Sequence, residues 1–215
     1  MTRLEEITQN LHDVQSRITT PGVTLIAVTK TYPASDVQIL KDLGVNNFGE
    51  NRTEEGAEKS AAVDGIWHFQ GGIQSRKLKE IAQWADVIHS LDQLSHAQKL
   101  ESLLTKPIDI FLQLSLDGDP SRGGVQEENL STLAQQISQM SRLNLKGLMC
   151  VLPLGVEAHD GFRKVSEIHT KFQSEFPHAK YLSAGMSGDF EIAIEYGATH
   201  IRVGSQILGP RTARR

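Results

Sequence analysis

Apolar, β-branched stretches bounded by Gly, Asn or Asp recur along the chain at a regular interval. They cover 24–30, 46–50, 66–71 and 87–91 in the first half, then 108–116, 145–152, 181–185 and 201–208 in the second. Several are continuous apolar runs, the pattern of strands buried on both faces of a parallel sheet. Between them apolar residues return with helical period, as at Val37, Leu40, Lys41 and Leu43 or at Leu130, Leu133, Ile137 and Met140, with polar residues on the other side. Ser35 or Asp36, Asp92, and the stretch 187–189 stand where helix N-caps are expected, and Pro21-Gly22 marks a turn before the first strand. Eight strand–helix units predict an α/β fold, a (β/α)8 TIM barrel with an extra N-terminal helix over 2–18. A doubly wound open sheet shows the same alternation, and periodicity alone does not decide whether the sheet closes. No Pro-, Ser- or Gly-rich linker divides the chain, so a single domain over 1–215 is expected.

Composition narrows the classes. With 39% hydrophobic and 22% charged residues the chain can bury a core, and no apolar run approaches the ~18 residues of a membrane span. The opening MTRLEEITQN lacks the apolar centre of a secretory leader, and one cysteine, Cys150, cannot form an internal disulfide, so a cytoplasmic protein is expected. A net charge of −4, with basic residues clustered only at Arg211, Arg214 and Arg215, argues against nucleic-acid binding. Eight histidines include no HxH or HExxH spacing, and no metal site is expected.

In a parallel α/β protein chemistry gathers at the C-terminal ends of strands. Lys30 ends the run LIAVTK, where partial burial favours a neutral amine able to attack a carbonyl; the alternative is a lysine that reaches solvent or pairs with Glu50. Ser183, Gly185, Ser187, Gly188, Gly204 and Ser205 fall at the mouths of the last two strands, where hydroxyls and backbone amides can cradle a phosphate. Arg202, inside the last strand, is a fixed cation that faces either a ligand or an internal partner such as Glu50 or Asp189. Asn51 can donate to a ligand oxygen or cap a helix. His68, between Trp67 and Phe69, reads as a hydrogen-bonded core residue, Gly71-Gly72 as an anion nest or a tight turn, and Cys150 beside Met149 as packing.

The stretches AVTKTYPA, FGENRTEEG, WHFQGGIQSRK, HSLD, GLMCV and LSAGMSGDFEIAIEYGATHIRVGSQILG, in this order and spacing, resemble the YggS/PROSC group of pyridoxal 5′-phosphate (PLP) homeostasis proteins almost from end to end. The resemblance implies a barrel similar to the N-terminal domain of alanine racemase, with PLP held as a Schiff base on Lys30. It further implies phosphate contacts from Ser187, Gly204 and Ser205, a ring-nitrogen contact from Arg202, and a ring or side-chain contact from Asn51. The chain departs from the common pattern at Gly72, Arg76, Arg122 and Ala184, none of them a cofactor contact.

A permanently protonated arginine at the ring nitrogen weakens the ring as an electron sink, and racemisation needs a second proton donor that racemases take from an additional domain. Tyr32, in a turn expected to be exposed, is the one tyrosine near Lys30. A PLP carrier that maintains vitamin B6 and amino-acid pools, with PLP-dependent apoenzymes as recipients and a monomeric state, is therefore the expectation. A weak PLP-dependent racemase, a cofactor-free class I aldolase and a ligand-free interaction protein are the alternatives.

Overall fold

The structure, a computed structural model, describes residues 1–210. Apolar segments too short to be helices pair side by side as strands, and the amphipathic segments between them fold back over the outside as helices. After α1 (Arg3–Ser16) come β1 (Thr24–Val28), α2 (Ala34–Asp42), β2 (Asn47–Glu50), α3 (Thr53–Ala62), β3 (Ile66–Phe69) and α4 (Leu78–Trp84). Then follow β4 (Val87–Leu91), α5 (Leu94–Leu103), β5 (Ile108–Leu114), α6 (Glu127–Ile137), β6 (Leu143–Cys150) and α7 (Ala158–Glu175). The last elements are β7 (Tyr181–Met186), α8 (Phe190–Glu195), β8 (His200–Val203) and α9 (Ser205–Leu208).

Each strand pairs in parallel with its sequence neighbour, and β1 pairs with β8 through Leu25–Ile201 and Ile26–Arg202, so the sheet is a closed barrel. The open-sheet alternative is thereby removed. α1 is held by a Thr2–Glu5 capping box and crosses the closing seam, where Arg3 and Asn10 donate to the carbonyls of Leu208 (2.9 Å) and Ile207 (3.0 Å). No helix among the described residues is long and apolar enough to cross a membrane.

Several boundaries move. The expected last strand, 201–208, stops at Val203 and continues as α9, because the amides of Ile207 and Leu208 both turn back to the Gly204 carbonyl. Ile207 and Leu208 are buried in a helical turn, which adjacent apolar residues mimic as strand. Two cap assignments also change. Pro33, not Ser35 or Asp36, caps α2, and Asp36 instead accepts from Arg3 Nη2 at 2.6 Å. Gln93 caps α5, while Asp92 accepts from the Gly124 amide at 3.0 Å. The basic tail at Arg211, Arg214 and Arg215 lies outside the described residues.

Two apolar cores result. A large one fills the layer between barrel and helices; a small one, Val87, Phe111 and Met149, lies apart from it. Barrel interiors are usually packed with branched aliphatics. Here His89 stacks on Phe111 (centroids 4.5 Å apart, planes 13° from parallel), and His68, Ser183 and Arg202 are buried with it.

Candidate functional site

All six sequence-derived candidates, Lys30, Asn51, Ser187, Arg202, Gly204 and Ser205, line one cleft of about 260 Å³. It opens at the C-terminal ends of β1, β2, β7 and β8, where side chains leave the sheet and its backbone pairing no longer fixes them.

Lys30 lies two residues beyond β1 and is half-buried. Thr29 keeps the sheet pattern through its amide to the Gly49 carbonyl (2.9 Å), and then Thr31 turns the chain with φ at +73°, a left-handed conformation that a β-branched residue rarely adopts. Side chains hold that turn. The Thr31 amide donates to Glu55 Oε2 (2.7 Å), and Lys59 Nζ donates to the Thr29 carbonyl (2.7 Å). Lys59 also reaches Glu50 Oε1 (2.6 Å) and Glu55 Oε2 (3.2 Å), and Thr29 Oγ1 donates to the same Glu50 oxygen (2.6 Å). Glu50, considered as a partner for Lys30, is thus the buried counterion of Lys59. Burial pushes the Glu50 carboxyl upward, against the downward pull of Lys59 and Thr29.

Arg202 is 4% exposed. Its Nη1 donates to Ser183 Oγ (2.8 Å) and its Nη2 to the Cys150 carbonyl (2.9 Å), a hydroxyl and a carbonyl rather than a carboxylate. Neither Glu50 nor Asp189 forms an ion pair with it, although the Asp189 carboxylate supports its charge from beyond contact distance. Desolvation lowers the guanidinium to about 10, so it remains charged at neutral pH. Buried cations are ordinarily paired. One that borders a cleft with no carboxylate to meet it presents its charge to whatever enters.

Hydroxyls and backbone amides gather in the cleft where β7 and β8 end. Ser187, after β7, accepts the Gly204 amide at 3.3 Å and so ties the β7 and β8 loops together. Gly204 comes close enough to β1 that a Cβ would sit 3.0 Å from the Val28 carbonyl. At Gly188 a Cβ would meet nothing within 4 Å, which leaves room for a ligand over the backbone. Asp189 is the N-cap residue of α8, but its carboxylate accepts the Met186 amide (2.6 Å) instead of capping.

Asn51 is no cap; Arg52 occupies that position of α3, and Asn51 Nδ2 makes only a long bond to the Gln70 carbonyl (3.4 Å). Gly71 is a tight turn whose Cβ would strike the Asn51 carbonyl, so close packing explains it. Sequence reading missed Gln70, whose Nε2 is buried without a partner at the cleft wall, and Met149 and Val151 beside it. Strand alternation carries that signal: Gln70 is two residues past His68, and Met149 and Val151 share one face of β6 while Cys150 points to the outer core. Tyr32 is half-buried, not exposed, and donates its hydroxyl to the Gly209 carbonyl (2.6 Å). Arg122 is likewise engaged, with Asp117 (2.7 Å) and the carbonyls of Val151 and Leu152.

The cleft thus gathers an amine, hydroxyls and backbone amides, a buried cation and an orphaned amide donor.

Over residues 2–212 the chain matches the family model of the alanine racemase N-terminal domain. It is 40% identical over 201 residues to the pyridoxal phosphate homeostasis protein of Corynebacterium glutamicum, spanning 88% of this chain and 91% of that one. The structure of PipY from Synechococcus elongatus with PLP bound superposes with a TM-score of 0.86 at 33% identity, covering 94% of this chain and all of that one. Alanine racemase of Clostridium difficile shares the fold at 14% identity, with a TM-score of 0.80 over 94% of this chain and 56% of its own.

Proposed function

The chain belongs to the alanine racemase N-terminal domain family and, within it, to the pyridoxal phosphate homeostasis proteins, and from that premise we propose that it binds PLP in the cleft at the β1/β8 seam as a carrier. PLP is bound in the PipY structure. The observation that carries the reading here is the convergence of Lys30, the Ser187–Gly204–Ser205 wall and the buried, carboxylate-free Arg202 on one cleft. Lys30 holds the aldehyde as a Schiff base, Ser187, Gly204 and Ser205 take the phosphate, Arg202 faces the ring nitrogen, and Asn51 meets the ring oxygen.

When bound, PLP supplies an electrophilic carbonyl and a ring that can draw electrons from an attached amine. Arg202 limits the second property. It cannot accept a proton, and its charge disfavours a proton on the ring nitrogen, so the ring is a weak electron sink. Tyr32, the nearest tyrosine in sequence, has its hydroxyl committed to Gly209. Both observations favour holding PLP over transforming amino acids with it. The role that follows is intracellular PLP homeostasis: a monomeric, cytoplasmic, single-domain barrel over 1–215 that keeps a reactive aldehyde bound and releases it to apoenzymes. Purification with PLP, reduction with borohydride and peptide mass spectrometry test this. A pyridoxyl addition confined to Lys30, and lost in Lys30→Ala, is expected; an unmodified Lys30 in excess PLP overturns the reading.

A further inference from the structure

A line of hydrogen bonds runs through the barrel interior to Arg202. Asn47 Oδ1 meets His68 Nε2 at 3.0 Å, His68 Nδ1 meets His89 Nε2 at 2.9 Å, and His89 Nδ1 meets Ser183 Oγ at 2.9 Å. Arg202 Nη1 then donates to the same Ser183 oxygen at 2.8 Å. Four strands contribute one member or more: β2, β3, β4 and β7, with Arg202 on β8. His68 is 2% exposed, and His89 and Ser183 are fully buried.

The direction of this line follows from its Arg202 end. A guanidinium only donates, so Ser183 Oγ accepts from Arg202 and is left to donate its own proton to its other partner, His89 Nδ1. His89 must then carry its proton on Nε2 and donate to His68 Nδ1. His68 in turn carries its proton on Nε2 and donates to the Asn47 carbonyl oxygen, which can only accept. Every group is satisfied in this order. In the reverse order the Ser183 hydroxyl would accept twice and leave its own proton without a partner, and the Asn47 amide would have to turn its nitrogen to His68.

Burial supports the neutral state the order requires, since it brings His68 down to about 3 and His89 well below its ordinary value. The His89 ring is further locked by its stack on Phe111. Branched aliphatics would fill the same space without the desolvation that four polar side chains bring, so packing alone does not account for them.

We propose that Asn47, His68, His89 and Ser183 form a one-way relay of positioning residues that aims the Arg202 guanidinium into the cleft. This rests on the reading of the cleft as the PLP site. Ser183 and the Cys150 carbonyl fix two of the three guanidinium nitrogens, and the histidines fix which way Ser183 points its lone pair. The relay moves no proton and touches no ligand; it sets the orientation of the charge that the ring nitrogen meets.

Two measurements test it. In the ligand-free protein, long-range proton–nitrogen correlation spectra report histidine tautomers at neutral pH. Nε2–H is expected at both His68 and His89, and Nδ1–H at His89 overturns the relay. The second compares PLP retention and the absorption band of bound PLP in wild type, His89→Phe and Ser183→Ala, with His89→Gln as the conservative variant. His89→Phe keeps a flat ring against Phe111, at the cost of a slightly larger side chain, and removes the bonds; a loss of about tenfold in retention, with a shifted band and partial rescue in His89→Gln, is expected. Ser183→Ala is the smaller change, predicted to move both readouts the same way should His89→Phe fail to fold. Folded variants that trap PLP on Lys30 with wild-type retention and spectrum overturn the relay alone. A wild-type protein that traps no PLP overturns the binding reading and this role with it, while its tautomers remain readable without ligand.

Discussion

Lys59 and Arg202 are both almost wholly buried, at 3% and 4% exposure, yet Lys59 meets two carboxylates and Arg202 meets none. The Lys59 ammonium is fully engaged, although Glu50 Oε2 beside it is buried without a hydrogen-bond partner. It has three hydrogen-bond acceptors, in Glu50, Glu55 and the Thr29 carbonyl, and none of these residues lines the cleft. The Arg202 cluster is open: a neutral relay on one side, a cleft on the other. A buried charge whose bonds are complete holds a backbone in place, here the left-handed turn after Lys30, whereas one left without a counterion marks where a ligand is to complete it.

The comparison breaks first at Lys59. Lys59→Met leaves the fully buried Glu50 without its cation, while half-buried Glu55 keeps Arg52 at 3.0 Å, and a loss of about 3–5 kcal/mol in urea unfolding is expected. The double variant Lys59→Met/Glu50→Gln recovers much of that loss, because it removes the stranded charge as well. A single variant as stable as wild type would make the cluster ornamental.

Acid tests the other cluster. His68 and His89 stay neutral in the fold, with His68 taking a proton only near 3, whereas in the unfolded chain each takes one near its ordinary value of 6.5. Between these limits the unfolded state binds more protons, so this contribution is complete above about 6.5 and is lost as the pH falls toward 3. The slope amounts to up to about 1.4 kcal/mol per pH unit for each histidine. Denaturation midpoints from pH 7 to pH 4.5 check it, and His68→Gln with His89→Gln is expected to flatten the curve.

Arg202→Met then sharpens the contrast with Lys59. It removes a desolvated charge but strands Ser183 and the Cys150 carbonyl, and the two effects offset to within about 1 kcal/mol of wild-type stability. PLP retention falls by at least about tenfold in the same variant. A variant destabilised as strongly as Lys59→Met would erase the distinction between the two sites. The smallest effect is expected at Thr31→Gly, where relief of the positive φ contributes about 1 kcal/mol or less.

The eight strands were legible because a parallel sheet covered on both sides demands continuous apolar runs, and because the site of such a sheet lies just past those runs. Lys30 and the Ser187, Gly204 and Ser205 positions follow from that rule directly, Arg202 was found as a charge inside a strand, and the structure brings them to one cleft. What escaped was whatever depends on contact across the sheet. His68 was read correctly as a satisfied core residue, but its partner His89 lies 21 positions away, and the next bond spans 94 positions to Ser183. Lys59 looks in sequence like any helix lysine; only the packing of α3 under the β1 turn makes it the counterion of Glu50. The end of β8 was misplaced because Ile207 and Leu208 are as apolar as a strand while their amides belong to a helical turn.

Closure of the barrel through β1 and β8 carries a consequence for how the chain comes off the ribosome. The partner of Leu25 is Ile201, so the edge of the first strand waits, unpaired, through the synthesis of nearly every other residue. Lys30 emerges early, and Ser187, Gly204 and Ser205, which share its cleft, emerge long after it. No shorter nascent chain contains both. Because contacts so distant in sequence form late and slowly, the final shutting of the seam is the step that creates the cleft. Capture of a ligand in this cleft by a growing chain therefore becomes possible only after β8 has been made, and it reports a barrel already shut.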